Sequence, residues 1–296
     1  MTAFASLLAP LDGSRAAAAS LGCAAWLAAR LDAKLHVLSA TTTPLPAREE
    51  LARLHVPPEY WTRIILHQAP EFPEQAILAA TLEHDADIVV MSAAGETAEK
   101  TGARRPDAFG IVGHVARAVI EQSRAPVLLA PPAYRENLPW RNLLAPLSGE
   151  PETDHALTLA VMLANALDLQ VHIAHVIGSD AYRSGLAAAA HYADAPHHEY
   201  PQQFAELVRR NMPYLTDEEC RCIAGVALVQ GDIAHALLNL ITEKHIDLIV
   251  VGWHGRFGTG HAGVLKDLLP LITCPVLLVK PAQGPAFRLK VGENIE

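Results

Sequence analysis

Short apolar runs alternate along the chain with longer stretches whose apolar residues recur at helical spacing. Leu7–Leu11, Leu35–Ala40, Ile88–Ser92 and Val127–Ala130 are four to six residues long and rich in Leu, Val and Ile. Runs of that kind suit strands buried on both faces of a parallel sheet. Further strands are expected near Ile64–His67 and Gly225–Val229. Between the runs, the spacing predicts helices over Arg15–Leu31, Glu74–His84, Val112–Ser123, Thr153–Leu167, Ile233–Lys244 and Val264–Leu271. Ala47–Tyr60 adds helical or irregular structure. Strand–helix alternation of this kind implies right-handed crossovers and a doubly wound, Rossmann-like α/β sheet.

The pattern occurs twice. Leu7-Leu8-Ala9-Pro10-Leu11 returns unchanged at Leu143–Leu147, an offset of 136 (143 − 7). Leu31–Val37 matches Leu167–Ile173 at the same offset. Asp87–Met91 pairs with Asp247–Val251 at an offset of 160 (247 − 87), and Pro126–Ala130 with Pro275–Val279 at 149 (275 − 126). Four landmarks in one order describe a duplication. The shifting offset places about 24 extra residues (160 − 136) in the second copy, within an insertion at about 179–219. The first copy gains 11 (160 − 149) between Glu96 and Gly110. The expected domains are residues 1–135 and 140–284, joined by a proline-punctuated polar linker over Pro132–Trp140.

Composition narrows the function classes. The chain has 296 residues, 51% hydrophobic and 19% charged, enough apolar material for two packed domains. Lys and Arg number 23 against 32 Asp and Glu, for a net charge of −9, and aromatics make up 5%. With no basic cluster and few stacking side chains, nucleic acid is not an expected partner. The longest apolar stretch, Ala16–Ala29, is 14 residues long between Arg15 and Arg30 and suits a buried helix, so no membrane partner is expected. No secretory signal is read at the N-terminus, and Cys23, Cys220, Cys222 and Cys274 lack a disulfide spacing. The expected location is the cytoplasm.

Candidate chemistry gathers after the strands. Asp12-Gly13-Ser14 follows the first strand, and Ser148-Gly149-Glu150 follows its counterpart. A side-chain oxygen in such a turn can hold a base or ribose, or cap the next helix. The second copy also carries Gly252, Gly255, Gly258, Gly260 and Gly263 within twelve positions, with His254 among them. Glycines between a buried strand and a helix bring backbone N–H groups close to phosphate oxygens. The first copy has the sparser Gly95 and Gly113. On glycine content, the second copy is the expected phosphate binder.

The Asp-Ile-Val-Val strand, the Gly252-x-x-Gly255 turn and the closing Cys274-Pro-Val-Leu-Leu-Val strand resemble the universal stress protein family, in a tandem form with two domains in one chain. The resemblance spans nearly the whole chain apart from the insertion and the tail after Pro281. It implies a nucleotide-sensing or partner-binding module in stress response, with ATP or another adenine nucleotide as ligand. It further implies that an Asp after the first strand contacts adenosine while a Gly-x-x-Gly…Gly-Ser/Thr motif holds the phosphates. Asp12 matches, and Ser148 stands in its place in the second copy. Gly113-His114 and Ala262-Gly263 stand where the Gly-Ser/Thr pair falls, and neither keeps the hydroxyl. The resemblance also implies a pseudo-dimer, because single-domain members pair through the strand corresponding to Val127–Ala130 and Val276–Val279.

Two other readings remain open: a nucleotide hydrolase-like enzyme using His254, His261 or Asp12, and a structural interaction protein with degenerate clefts. No nucleophile elbow or carboxylate pair supports catalysis. The 15 histidines include His191, His197 and His198, over twenty residues from Cys220 and Cys222 and without a zinc-ligand spacing. His36 and His172 occupy equivalent strand positions and read as structural, and no metal is expected. Four of six tyrosines lie in or beside the insertion, which is the expected surface for a homodimer or an unidentified protein partner.

Overall fold

A computed structural model of the chain describes residues 4–95, 112–147, 151–178, 208, 212, 215–253 and 263–281. In the first copy, β1 (Ser6–Pro10), β2 (Lys34–Ala40), β3 (Ile64–Ala69), β4 (Ile88–Ser92) and β5 (Val127–Ala130) alternate with α1 (Arg15–Leu31), α2 (Ala47–Arg53), α3 (Pro73–Glu83) and α4 (His114–Gln122). The second copy has β6 (Asn142–Leu147), β7 (Gln170–Gly178), β8 (Ile223–Gly231), β9 (Leu248–Gly252) and β10 (Val276–Val279), with α5 (Pro151–Leu167), α6 (Ile233–Glu243) and α7 (Gly263–Leu268). Most of the expected insertion, including residues 179–207, lies outside the described residues.

Among the described residues, ten strands join one sheet in the order β3-β2-β1-β4-β5-β10-β9-β6-β7-β8. Every neighbouring pair is parallel except β5 and β10, which run antiparallel with Leu128 opposite Leu277. The two copies are thus tandem doubly wound domains fused through their last strands into a pseudo-dimer.

The repeated landmarks have physical jobs. Asp87 Oδ2 accepts from the backbone N–H groups of Ala5 (2.6 Å) and Ser6 (3.0 Å), tying the start of β4 to the start of β1. Asp247 Oδ2 does the same for Arg141 (2.7 Å) and Asn142 (3.0 Å). Asp32 and Asp168, at the same place in each repeat, both turn the chain through left-handed backbone (φ 52° and 60°) after a helix. At the other end of α1, Ser14 Oγ accepts from Ala17 N at 3.1 Å.

Strand side chains alternate between two hydrophobic layers, and each layer runs through both copies. One layer includes Leu7, Ala9, Leu128, Leu143, Leu277 and the apolar sides of α1 and α5. The other includes Leu8, Val127, Leu129, Val276, Leu278 and residues of α3, α4, α6 and α7. Trp26 of α1 packs on Trp140 with ring centroids 4.9 Å apart, and Arg30 donates to the carbonyl of Leu167 at 3.3 Å. Lys280 reaches across the junction to the carbonyls of Glu121 (2.6 Å) and Ser123 (2.9 Å), satisfying acceptors at the end of α4.

Two details depart from expectation. The linker is not wholly polar surface, since Trp140 is buried against Trp26. The helix expected over Val264–Leu271 stops at Leu268, two residues before Pro270, because proline cannot donate to a continuing helix and constrains its predecessor.

Leu277 has no exposed surface and sits at the centre of the junction. Leu277→Ala is expected to cost about 2–5 kcal/mol in urea unfolding. Because both apolar layers cross the junction, unfolding should remain a single transition. Two separated transitions, or a loss below about 1 kcal/mol, would mean that the halves stand independently.

Candidate functional site

The strand order reverses beside β1: the chain runs outward through β2 and β3, then returns to place β4 on the other side. Open α/β sheets bind ligands over the carboxyl ends of strands at such a switch point. In the first copy, Asp12-Gly13-Ser14 leaves β1 there and Ser92–Gly95 leaves β4.

Asp12 and Gly95 meet. Asp12 Oδ1 accepts from the N–H of Ser14 at 2.9 Å, which fixes the carboxylate in the turn. Its other oxygen lies where a side chain on Gly95 would begin, 2.6 Å from an ideal Cβ. A side chain at Gly95 would have to displace that carboxylate. Gly13 has φ +85°, a conformation that glycine adopts without steric cost.

The start of α4 lies at the same place. Gly113 donates to the carbonyl of Ala93 at 2.7 Å and opens α4, where the first-turn N–H groups face outward from the helix end. Asp12, Gly95 and Gly113, named from the sequence, are thus brought together at one crevice.

The sequence reading missed the wall of this crevice. The last turn of α2 lies against the Gly13 turn, with the Arg53 carbonyl 3.4 Å and Nη1 3.7 Å from an ideal Gly13 Cβ. Arg53 grips the fully buried Glu50 side chain with two bonds of 2.6 and 2.9 Å and donates to Ser39 Oγ at 3.0 Å. The Glu50-x-x-Arg53 spacing was visible, but its placement depended on how α2 folds over β2. Arg53 holds the Glu50 carboxyl below its ordinary range, against the opposing effect of burial.

The second crevice is only partly described. Gly252 ends β9 opposite Val279, and Trp253 donates from its backbone to the Val279 carbonyl at 2.7 Å. Ala93 makes the matching bond to Ala130 at 2.8 Å, so the strand exits agree while the side chains differ. Trp253 is buried. Gly263 begins α7. Ser148, His254, Gly255, Gly258 and Gly260 lie outside the described residues. His175, which stands in β7 where Ser39 stands in β2, has Nδ1 2.9 Å from the Leu147 carbonyl. That contact requires the proton on Nδ1.

A carboxylate, close backbone, a helix start and a guanidinium together suit a ligand that donates hydrogen bonds at one end and carries negative charge at the other.

Comparison with known proteins bears on the family and the fold. The profile of the Universal stress protein family matches residues 4–131 and again 139–280. The chain is similar to universal stress protein YxiE of Bacillus subtilis (strain 168), 25% identical over 149 residues, which span 48% of this chain and 99% of that one. Its fold is similar to that of a functionally unknown protein of Pseudomonas aeruginosa PAO1, with a TM-score of 0.63, 15% identity, and 95% and 94% of the two chains covered. It is also similar to a universal stress protein of Archaeoglobus fulgidus DSM 4304, with a TM-score of 0.60, 16% identity, and 94% and 97% covered.

The crevice wall has an acid limit. Because pairing lowers the Glu50 pKa, its stabilisation is complete above the ordinary value of 4.5 and is lost as pH falls through the lowered value. Glu50→Gln is expected to cost about 1–3 kcal/mol at neutral pH. The variant should lose less stability than the parent chain on acidification, as measured by thermal melts across the acid range. Parallel pH profiles for the two would show that Glu50 does not set this limit.

Proposed function

The chain belongs to the universal stress protein family, and from that premise we propose that it is a nucleotide-responsive binding module taking an adenine nucleotide such as ATP or AMP. The observation that carries the reading is the contact of Asp12 with Gly95 at the switch point between β1 and β4. The carboxylate is placed to accept hydrogen bonds from the adenosine part. The backbone around Gly95, the α4 start at Gly113 and the Arg53 guanidinium flank the position of the phosphates. The glycine count favours the second copy, through Gly252, Gly255, Gly258, Gly260 and Gly263. The approach of Asp12 to Gly95 supports the first, and the first is the site proposed.

We place the module in the cytoplasm. All four cysteines are free thiols, Cys23 and Cys274 are buried, and among the described residues no helix is long and apolar enough to cross a membrane. Pairing through β5 and β10 is already satisfied within the chain, so a homodimer would form through another surface, for which the 179–219 insertion is the candidate.

Calorimetric titration of ATP and AMP into the whole chain tests the reading. Asp12→Ala is expected to lose about 1–3 kcal/mol of affinity. Gly95→Val should lose at least tenfold, about 1.4 kcal/mol, and Gly255→Val should lose less. A reversed order of the two glycine variants would move the site to the second copy. If the parent chain binds neither nucleotide, the proposal fails. Turnover of bound ATP in a single-turnover assay would replace the module with a hydrolase.

A further inference from the structure

Three histidines from three separate elements meet on the α3 side of the first copy's sheet. His36 comes from β2, His67 from β3, and His84 caps the end of α3. The Ser6 hydroxyl, at the start of β1, donates to the His84 carbonyl at 2.9 Å, and His36 pairs with Leu8 in the middle of β1. His36 Nδ1 and His67 Nε2 are 2.9 Å apart, and one ring nitrogen from each of the three residues falls within 4.8 Å of the other two. The rings stack, with centroids separated by 4.1 Å (His67–His84), 4.6 Å (His36–His84) and 5.1 Å (His36–His67). His36 is buried and the other two are half-buried, which leaves a side open to solvent.

We propose that His36, His67 and His84 bind one divalent transition-metal ion of the zinc class. Imidazole nitrogen is a preferred ligand for such ions, and three histidines leave a fourth tetrahedral position for water or an exogenous ligand. Metal–nitrogen bonds of about 2.0–2.1 Å put ligating nitrogens about 3.4 Å apart in a tetrahedron. His36 and His67 are already within that distance, and His84 closes the remainder. Stacked rings aim their lone pairs side by side, so binding turns the imidazoles about χ2 until the lone pairs converge. The ligating form is the neutral one. Burial, with the charges of His84, His67 and Lys34, lowers His36 to about 4. His67 is lowered by burial and by His84, against the opposing charge of Glu83.

The second copy shows that the fold does not need this trio. Equivalent positions there are His172 in β7, Ala227 opposite Ala174 in β8, and Lys244 at the end of α6. His172 Nε2 instead lies 3.4 Å from Asn142 Oδ1. The same sheet is thus built with one histidine as with three. The proposal departs, at His36 alone, from the sequence expectation that both His36 and His172 are structural.

The test is calorimetric titration of zinc into the whole chain after stripping with EDTA and without nucleotide, repeated with cobalt to read tetrahedral absorption. Other histidines and cysteines can contribute zinc binding, so variants carry the assignment. In His67→Ala and in His84→Ala, one zinc equivalent should be lost or its affinity should fall by at least about 100-fold, more than loss of a supporting residue costs. His172→Ala should bind as the parent does. If the alanine variants fold poorly, His84→Gln decides, since it keeps a hydrogen-bonding side chain at a helix end. Loss of the zinc equivalent with an unchanged melting profile supports the site. Parent-like zinc binding by His67→Ala and His84→Ala, or by a folded His84→Gln, overturns it. So does a parent chain that takes up no zinc.

Discussion

The antiparallel ladder between β5 and β10 is the constraint on which the architecture depends. An isolated half would end in a short, wholly apolar strand with unpaired backbone groups, a liability for aggregation. Joining the two ends removes both edges and, among the described residues, leaves β3 and β8 as sheet margins. The burial of the strands follows: β5 and β10 are buried throughout, whereas β3 and β8 are mostly half-buried or exposed. Because the ladder is antiparallel, the strands of one copy run opposite to those of the other. The carboxyl ends of the two sets of strands therefore lie at opposite ends of the sheet.

Much of this layout was legible in the sequence because burial on both faces writes itself as uninterrupted apolar runs. Leu7–Leu11 and Leu143–Leu147 are the same five residues because both sit between two apolar layers. The repeated Asp87 and Asp247 marked a strand start, and their role in holding a neighbouring strand needed the structure. Asp12 and Gly95 were each visible as turn residues, but their contact is set by β1 lying beside β4, across some eighty residues of chain. Arg53 was missed for the same reason: its neighbours Ser39 and Gly13 belong to other elements. Trp140 was misread because a proline-punctuated linker reads as surface, while its indole packs on Trp26.

The histidine trio was illegible for a stricter reason. Residues 36, 67 and 84 show no ligand spacing along the chain. They come together because β2 and β3 pair with Leu38 opposite His67, which puts His36 and His67 on one face, and because α3 returns its last turn to the same place. Ligand spacings betray sites built on one loop or helix. A site shared by two strands and a helix end shows only in the register.

Duplication explains where the two copies were free to differ. At the junction Leu128 faces Leu277, its own equivalent, and Val127 and Leu129 face Leu278 and Val276, which are each other's equivalents. This is the contact of an isologous dimer, in which the residue on the axis meets its own counterpart and every other contact occurs twice. Both copies consequently keep Pro-Val-Leu-Leu there. Away from the axis that coupling weakens, since the outer strands pair only within their own half. The differences fall there: Asp12 against Ser148, Ala93 against Trp253, His67 against Ala227, and His84 against Lys244. A single-domain homodimer must carry any such change twice. A fused pair can keep one copy suited to holding a ligand while the other changes, provided that the shared ladder stays intact.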